Sequence, residues 1–122
     1  MKSASKNVLI VEDEKPMAHA LELKLNNSGF VAKAVYDGQE ALDILEKEKF
    51  DLIISDLMMP VMDGFELLKQ LKEKSIKIPV IIASNLGQQE DIDRAKGLGA
   101  KDYFIKSDTP IAEVVEKVKA FI

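Results

Sequence analysis

Five polar side chains in this sequence stand where short apolar runs stop. Glu12 and Asp13 follow Val8–Val11, Asp56 follows Leu52–Ile54, Ser84 follows Pro79–Ala83, and Lys106 follows Asp102–Ile105. Three carboxylates brought within a few ångströms repel one another, so such a cluster raises a pKa or recruits a cation. Oxygen donors without His or Cys select a hard ion such as Mg²⁺, which takes carboxylates, a carbonyl and retained waters. Lys106 adds a compact positive charge and Ser84 a hydroxyl. Together these groups suit in-line phosphoryl transfer onto a carboxylate oxygen, with the cation and Lys106 neutralising charge on the phosphoryl oxygens. Asp56, central among the helpers, is the natural nucleophile.

Those residues converge only if the chain folds in a particular way. Val8–Val11, Leu52–Ile54 and Pro79–Ala83 are apolar without alternation, as expected of strands covered on both faces, while Val31–Val35 alternates in part. Between the strands lie helical patterns. Lys15–Ser28 carries Ala18, Leu21 and Leu25 on one face and stops at Gly29. Asp37 opens a second helix with Glu40 three residues on, a capping-box variant, and Ala41, Leu42 and Leu45 form its buried face. Gly64–Lys74 packs through Phe65, Leu68 and Leu71, and Asp91–Leu98 is short and weakly apolar. A last helix from about Pro110 to Phe121 is carried by Ile111, Val114, Val115, Val118 and Phe121. Five β-then-α units predict a single α/β domain, a doubly wound (βα)5 flavodoxin-like fold in strand order 2-1-3-4-5. That order sets strands 1, 3, 4 and 5 side by side, so their carboxyl ends share one crevice.

Composition excludes several other readings. At 122 residues, 47% hydrophobic and 31% charged, the chain is an ordinary globular domain, with its core at about residues 7–121 and no separate output domain expected. A net charge of −4 argues against direct nucleic-acid binding. The absence of Cys removes disulfides, thiolate metal sites and thiol nucleophiles. No apolar run is long enough for a signal peptide or a membrane span, so the expected location is the cytoplasm, without membrane attachment. The turn after the first strand reads Glu12-Asp13-Glu14, which repels a phosphate-bearing cofactor, and no Gly-rich phosphate loop is present. His19, the only His, falls mid-helix as a surface or boundary residue. Met58, Met59 and Met62 read as a loop packing on the core rather than a soft-metal box.

The stretches Val8–Glu14, Asp51–Leu68 and Gly99–Ser107, with Ser84 between the last two, resemble the receiver domain of a two-component response regulator. The resemblance spans essentially the whole chain, and Asp56, Pro60, Asp63 and Gly64 at these spacings are its most specific part. It implies that Asp56 accepts a phosphoryl group from a sensor histidine kinase or histidine phosphotransfer protein. By the same resemblance, Asp13, Asp56 and the Met58 backbone carbonyl ligate Mg²⁺, and Glu12 acts through a bound water. Ser84 and Lys106 contact the phosphoryl group, and Tyr103 changes rotamer when Ser84 moves. Such a domain is not an enzyme toward a separate substrate; it catalyses only its own phosphorylation and dephosphorylation. Its altered surface then controls a partner or output domain, and the resemblance admits a phosphorylation-dependent homodimer.

The chain departs from the family pattern near the site. Lys106 is usually followed by Pro through a cis bond, but here Ser107 follows. The residue after Ser84 is often small, but here it is Asn85. Met58 and Leu86 stand at variable positions, and both are apolar. Two alternatives remain open: a phosphatase using Asp56 as nucleophile, which would want an acid where Met58 stands, and a phosphorylation-independent interaction module.

Overall fold

The computed structural model describes residues 6–122. Five parallel strands form one sheet in the order β2-β1-β3-β4-β5: β1 (Asn7–Val11), β2 (Val31–Val35), β3 (Leu52–Ser55), β4 (Val80–Ser84) and β5 (Asp102–Ile105). Five helices alternate with them: α1 (Lys15–Asn27), α2 (Gly38–Leu45), α3 (Gly64–Glu73), α4 (Gln89–Gly97) and α5 (Ile111–Phe121). This is the expected flavodoxin-like arrangement. One 3-10 turn, Lys106–Asp108, was not foreseen, and α4 begins two residues before the expected Asp91. Helix α4 is mostly polar, with only Ala95 buried, so its apolar pattern carried little signal for the start.

Side-chain alternation divides the core in two. Leu9, Val11, Ile53, Val80 and Ile82 point to the face covered by α2, α3 and α4. Val8, Ile10, Leu52, Ile54, Ile81 and Ala83 point to the other face, against Leu21 and Leu25 of α1 and Val114, Val115 and Val118 of α5. Each central strand therefore buries both faces, the reason for its continuous apolar run.

Two of the helices, α2 and α3, start where the sequence offers a side-chain acceptor for their first amides. Asp37 accepts the Glu40 N–H at 2.8 Å, and Glu40 reaches back to the Tyr36 N–H at 2.7 Å. Asp63 does the same for Glu66 at 2.8 Å. Each such cap typically stabilises by about 1 kcal/mol.

The strand register sets the height at which each loop begins. Val11 lies opposite Ser55, Ser55 opposite Ile82, and Ser84 opposite Ile105. The residues that follow therefore emerge at one edge of the sheet.

Candidate phosphoacceptor site

Glu12 and Asp56 leave adjacent strands, and the Asp56 N–H donates to the Val11 carbonyl at 3.0 Å. Both carboxylates are buried, at 2% and 6% exposure. Asp56 Oδ1 accepts from Leu57 N at 2.7 Å and more weakly from Met58 N at 3.4 Å. Lys106, arriving from β5, donates from Nζ to Asp56 Oδ2 at 3.0 Å and to Glu12 Oε1 at 2.7 Å. The second Glu12 oxygen accepts the Glu14 N–H at 3.2 Å.

Buried charges persist when they are paired in this way. Burial raises the Glu12 pKa and Asp56 pushes in the same direction, outweighing the hydrogen bonds from Lys106 and the Glu14 amide. Burial alone would lower Lys106, but its bonds to Glu12 and Asp56 dominate and hold the ammonium above the ordinary lysine range. The two carboxylates thus favour the charged form of Lys106.

Asp13 differs from its neighbours. It is half-buried on the cavity wall and, among the described residues, makes no ion pair or side-chain hydrogen bond. Carboxylate oxygens of Glu12, Asp13 and Asp56 nevertheless lie within 4.8 Å of one another. A set of three oxygen donors with one member uncompensated fits a hard divalent cation. The open cavity beside it, about 310 Å³, is lined by Asp13, Glu14, Asp56, Met58, Ser84, Asn85, Leu86 and Lys106.

Ser84 is buried, and its Oγ accepts the Leu86 N–H at 3.1 Å. The Tyr103 hydroxyl donates to the carbonyl of the same residue, Leu86. Burial raises the Tyr103 phenol, with the Ser84 hydroxyl working against it. Ser84 and Tyr103 are therefore linked through a single residue of the β4–α4 loop.

The structure brings Glu12, Asp13, Asp56, Ser84 and Lys106 together at one end of the sheet, with some differences of detail among the other residues named from the sequence. Met59 and Met62 pack on the core as expected, but Met58 does not: it is 62% exposed on the cavity rim. His19 lies on the surface of α1, its Nε2 3.3 Å from the Tyr36 hydroxyl. The Lys106–Ser107 bond is trans. Glu14 was not assigned a role, yet its carboxylate stands 3.5 Å from Lys106 Nζ and lines the cavity. Its place in the acidic run after β1 was the available signal.

The family model of the response regulator receiver domain matches residues 8–119. The chain belongs to that family. Among curated relatives it is 41% identical over 117 residues to the regulatory protein VanRc of Enterococcus gallinarum, covering 94% of this chain and 49% of that protein. It is 38% identical to the alkaline phosphatase synthesis transcriptional regulatory protein PhoP of Bacillus subtilis, covering 97% and 49%. The chain thus spans about half the length of these relatives. Among solved structures it resembles the receiver domain of the Francisella response regulator 1452, with a TM-score of 0.90, 33% identity and 96% of both chains covered. It also resembles chemotaxis protein CheY4 of Vibrio cholerae, with a TM-score of 0.90, 28% identity, and 98% and 100% covered. Receiver domains serve as phosphoacceptors in signalling, interact with histidine kinases and typically use Mg²⁺. Among the described residues of this receiver domain, no helix is long and apolar enough to cross a membrane.

Proposed function

We propose that Asp56 is the phosphoacceptor of this receiver domain. The observation that carries the reading is Lys106 Nζ held 3.0 Å from Asp56 and 2.7 Å from Glu12, on the cavity that Ser84 also lines. A carboxylate oxygen of Asp56 attacks phosphorus of a phosphohistidine on the kinase or a phosphotransfer protein. The O–P bond forms as the N–P bond breaks, and the electron pair stays on the imidazole nitrogen, which takes up a proton. Lys106 neutralises charge on the phosphoryl oxygens at no cost in reorganisation, because it is already in place. Mg²⁺ held by Asp13, Asp56 and the Met58 carbonyl, with Glu12 acting through water, would supply further positive charge to those oxygens.

The phosphoryl group brings about −1.5 to −2 charges and three acceptors. The Ser84 hydroxyl turns from the Leu86 amide to donate to one of them, the loop shifts, and Tyr103 leaves the Leu86 carbonyl. The surface formed by α4, β5 and α5 changes and controls a partner or output domain in the cytoplasm, with a phosphorylation-dependent homodimer as one form of output. The intact set of Asp13, Asp56, Ser84 and Lys106 argues against a phosphorylation-independent module.

The test is labelling with a small acyl phosphate and Mg²⁺, read by intact mass. Wild type is expected to gain one phosphoryl group and Asp56→Asn none. An equal gain in Asp56→Asn would overturn the assignment.

A further inference from the structure

Asn85 and Ser107 meet across two loops of the site. Asn85 follows Ser84 at the end of β4, Ser107 follows Lys106 at the end of β5, and the Ser107 N–H donates to Asn85 Oδ1 at 2.9 Å. These are two of the positions at which the chain departs from its family pattern. A proline at 107 has no N–H to donate, and an alanine or glycine at 85 has no side-chain acceptor, so the pattern with proline at 107 cannot form this bond. The bond also answers a local need. The 3-10 turn Lys106–Asp108 has Ile105 at its N-cap, which offers its first amides no side-chain acceptor. Asn85 supplies that acceptor from the neighbouring loop. The turn begins at Lys106 itself, so holding the Ser107 amide restrains the backbone from which Lys106 reaches Asp56 and Glu12. Asn85 and Ser107 are both exposed, and no part of the core depends on either.

We propose that Asn85 is a positioning residue that caps the Lys106 turn through the Ser107 N–H, so that the loops carrying Ser84 and Lys106 move as one unit around Asp56. The inference rests on Asp56 being the phosphoacceptor. When the phosphoryl group draws Ser84 inward, Asn85 moves with it and carries the Lys106 turn along. Without the bond each loop must be ordered separately, and Lys106 is held less well at the moment of transfer.

The experiment is a four-member cycle: wild type, Asn85→Ala, Ser107→Pro and the double variant. The readouts are the rate of labelling by a small acyl phosphate with Mg²⁺, the melting temperature, and hydrogen exchange at the Ser107 amide. Proline at 107 also disfavours the helical backbone of Lys106, so only differences within each background are compared. Asn85→Ala is expected to slow labelling about 3- to 10-fold, to leave the melting temperature unchanged and to speed Ser107 exchange. In the Ser107→Pro background it is expected to change nothing. Asn85→Asp keeps the acceptor and is expected to restore Ser107 protection. Equal effects of Asn85→Ala in both backgrounds, or Ser107 exchange unaffected by it, would overturn the proposal. A wild type that takes no label overturns the phosphoacceptor reading and the positioning role with it. Hydrogen exchange, which needs no phosphoryl group, separates that failure from loss of the cap.

Discussion

Gly64 packs directly against the backbone of Asp56. A β-carbon at Gly64 would overlap the Asp56 carbonyl oxygen and stand 2.8 Å from Leu57 Cα. The first residue of α3 thus abuts the peptide that carries Asp56, the proposed phosphoacceptor, and the Gly64 N–H donates to the Leu57 carbonyl at 2.8 Å. Gly64→Ala is expected to destabilise by about 1–3 kcal/mol, as overpacking of a tight site does. It should also slow phosphorylation by displacing Asp56. Denaturant melts and labelling kinetics check both, and a variant with native stability would contradict the close approach.

Mg²⁺ is expected to raise the melting temperature. Asp13 is the uncompensated member of the acidic cluster among the described residues, and a ligand bound only by the folded state stabilises by about 2.7 kcal/mol at one hundred times its Kd. Asp13→Asn should raise metal-free stability by removing a repelling charge and should weaken the Mg²⁺-dependent gain. A melting temperature indifferent to millimolar Mg²⁺ at low salt would refute the site.

Tyr103 gives a prediction at alkaline pH. Its folded-state pKa is raised above the usual 10, with burial the first cause. Its stabilising contribution is therefore fully present below the unfolded value and is lost as pH rises through the raised folded value. The phenol should titrate late by ultraviolet absorbance, and the late component should disappear in Tyr103→Phe. Stability should fall from neutral to strongly alkaline buffer by less in Tyr103→Phe than in wild type.

Phosphorylation should persist, because Met58 and Leu86 line the cavity with apolar side chains. Hydrolysis needs a water in line with the O–P bond on the side away from Asp56, and neither residue can hold one. Met58→Asn and Leu86→Glu are expected to shorten the lifetime of the phosphorylated state, by about threefold to tenfold. Decay after donor removal measures it, and unchanged or slower decay in both variants would refute the idea.

Much of the site was legible in the chain because parallel α/β folds translate linear pattern into position. The apolar run Leu52–Ile54 demands burial on both faces, so Asp56 had to emerge at the carboxyl end of a central strand. The same reasoning placed Glu12, Ser84 and Lys106. Pattern carried less for α4, where one buried alanine gives no periodicity, and for Met58, whose residue type says core while its place on the loop leaves it exposed.

By itself, then, the sequence determined the five β–α units, their order and the set of groups delivered to one edge of the sheet. The cause is that burial periodicity and strand ends are local properties of the chain. Only the tertiary structure decided which partners those groups choose. Lys106 binds Glu12 from 94 residues away, Tyr103 bonds the Leu86 carbonyl rather than packing alone, and Asn85 receives the Ser107 amide from 22 residues on. Such pairings depend on strand register and on the path of two loops, and neither is encoded in any single stretch of the sequence.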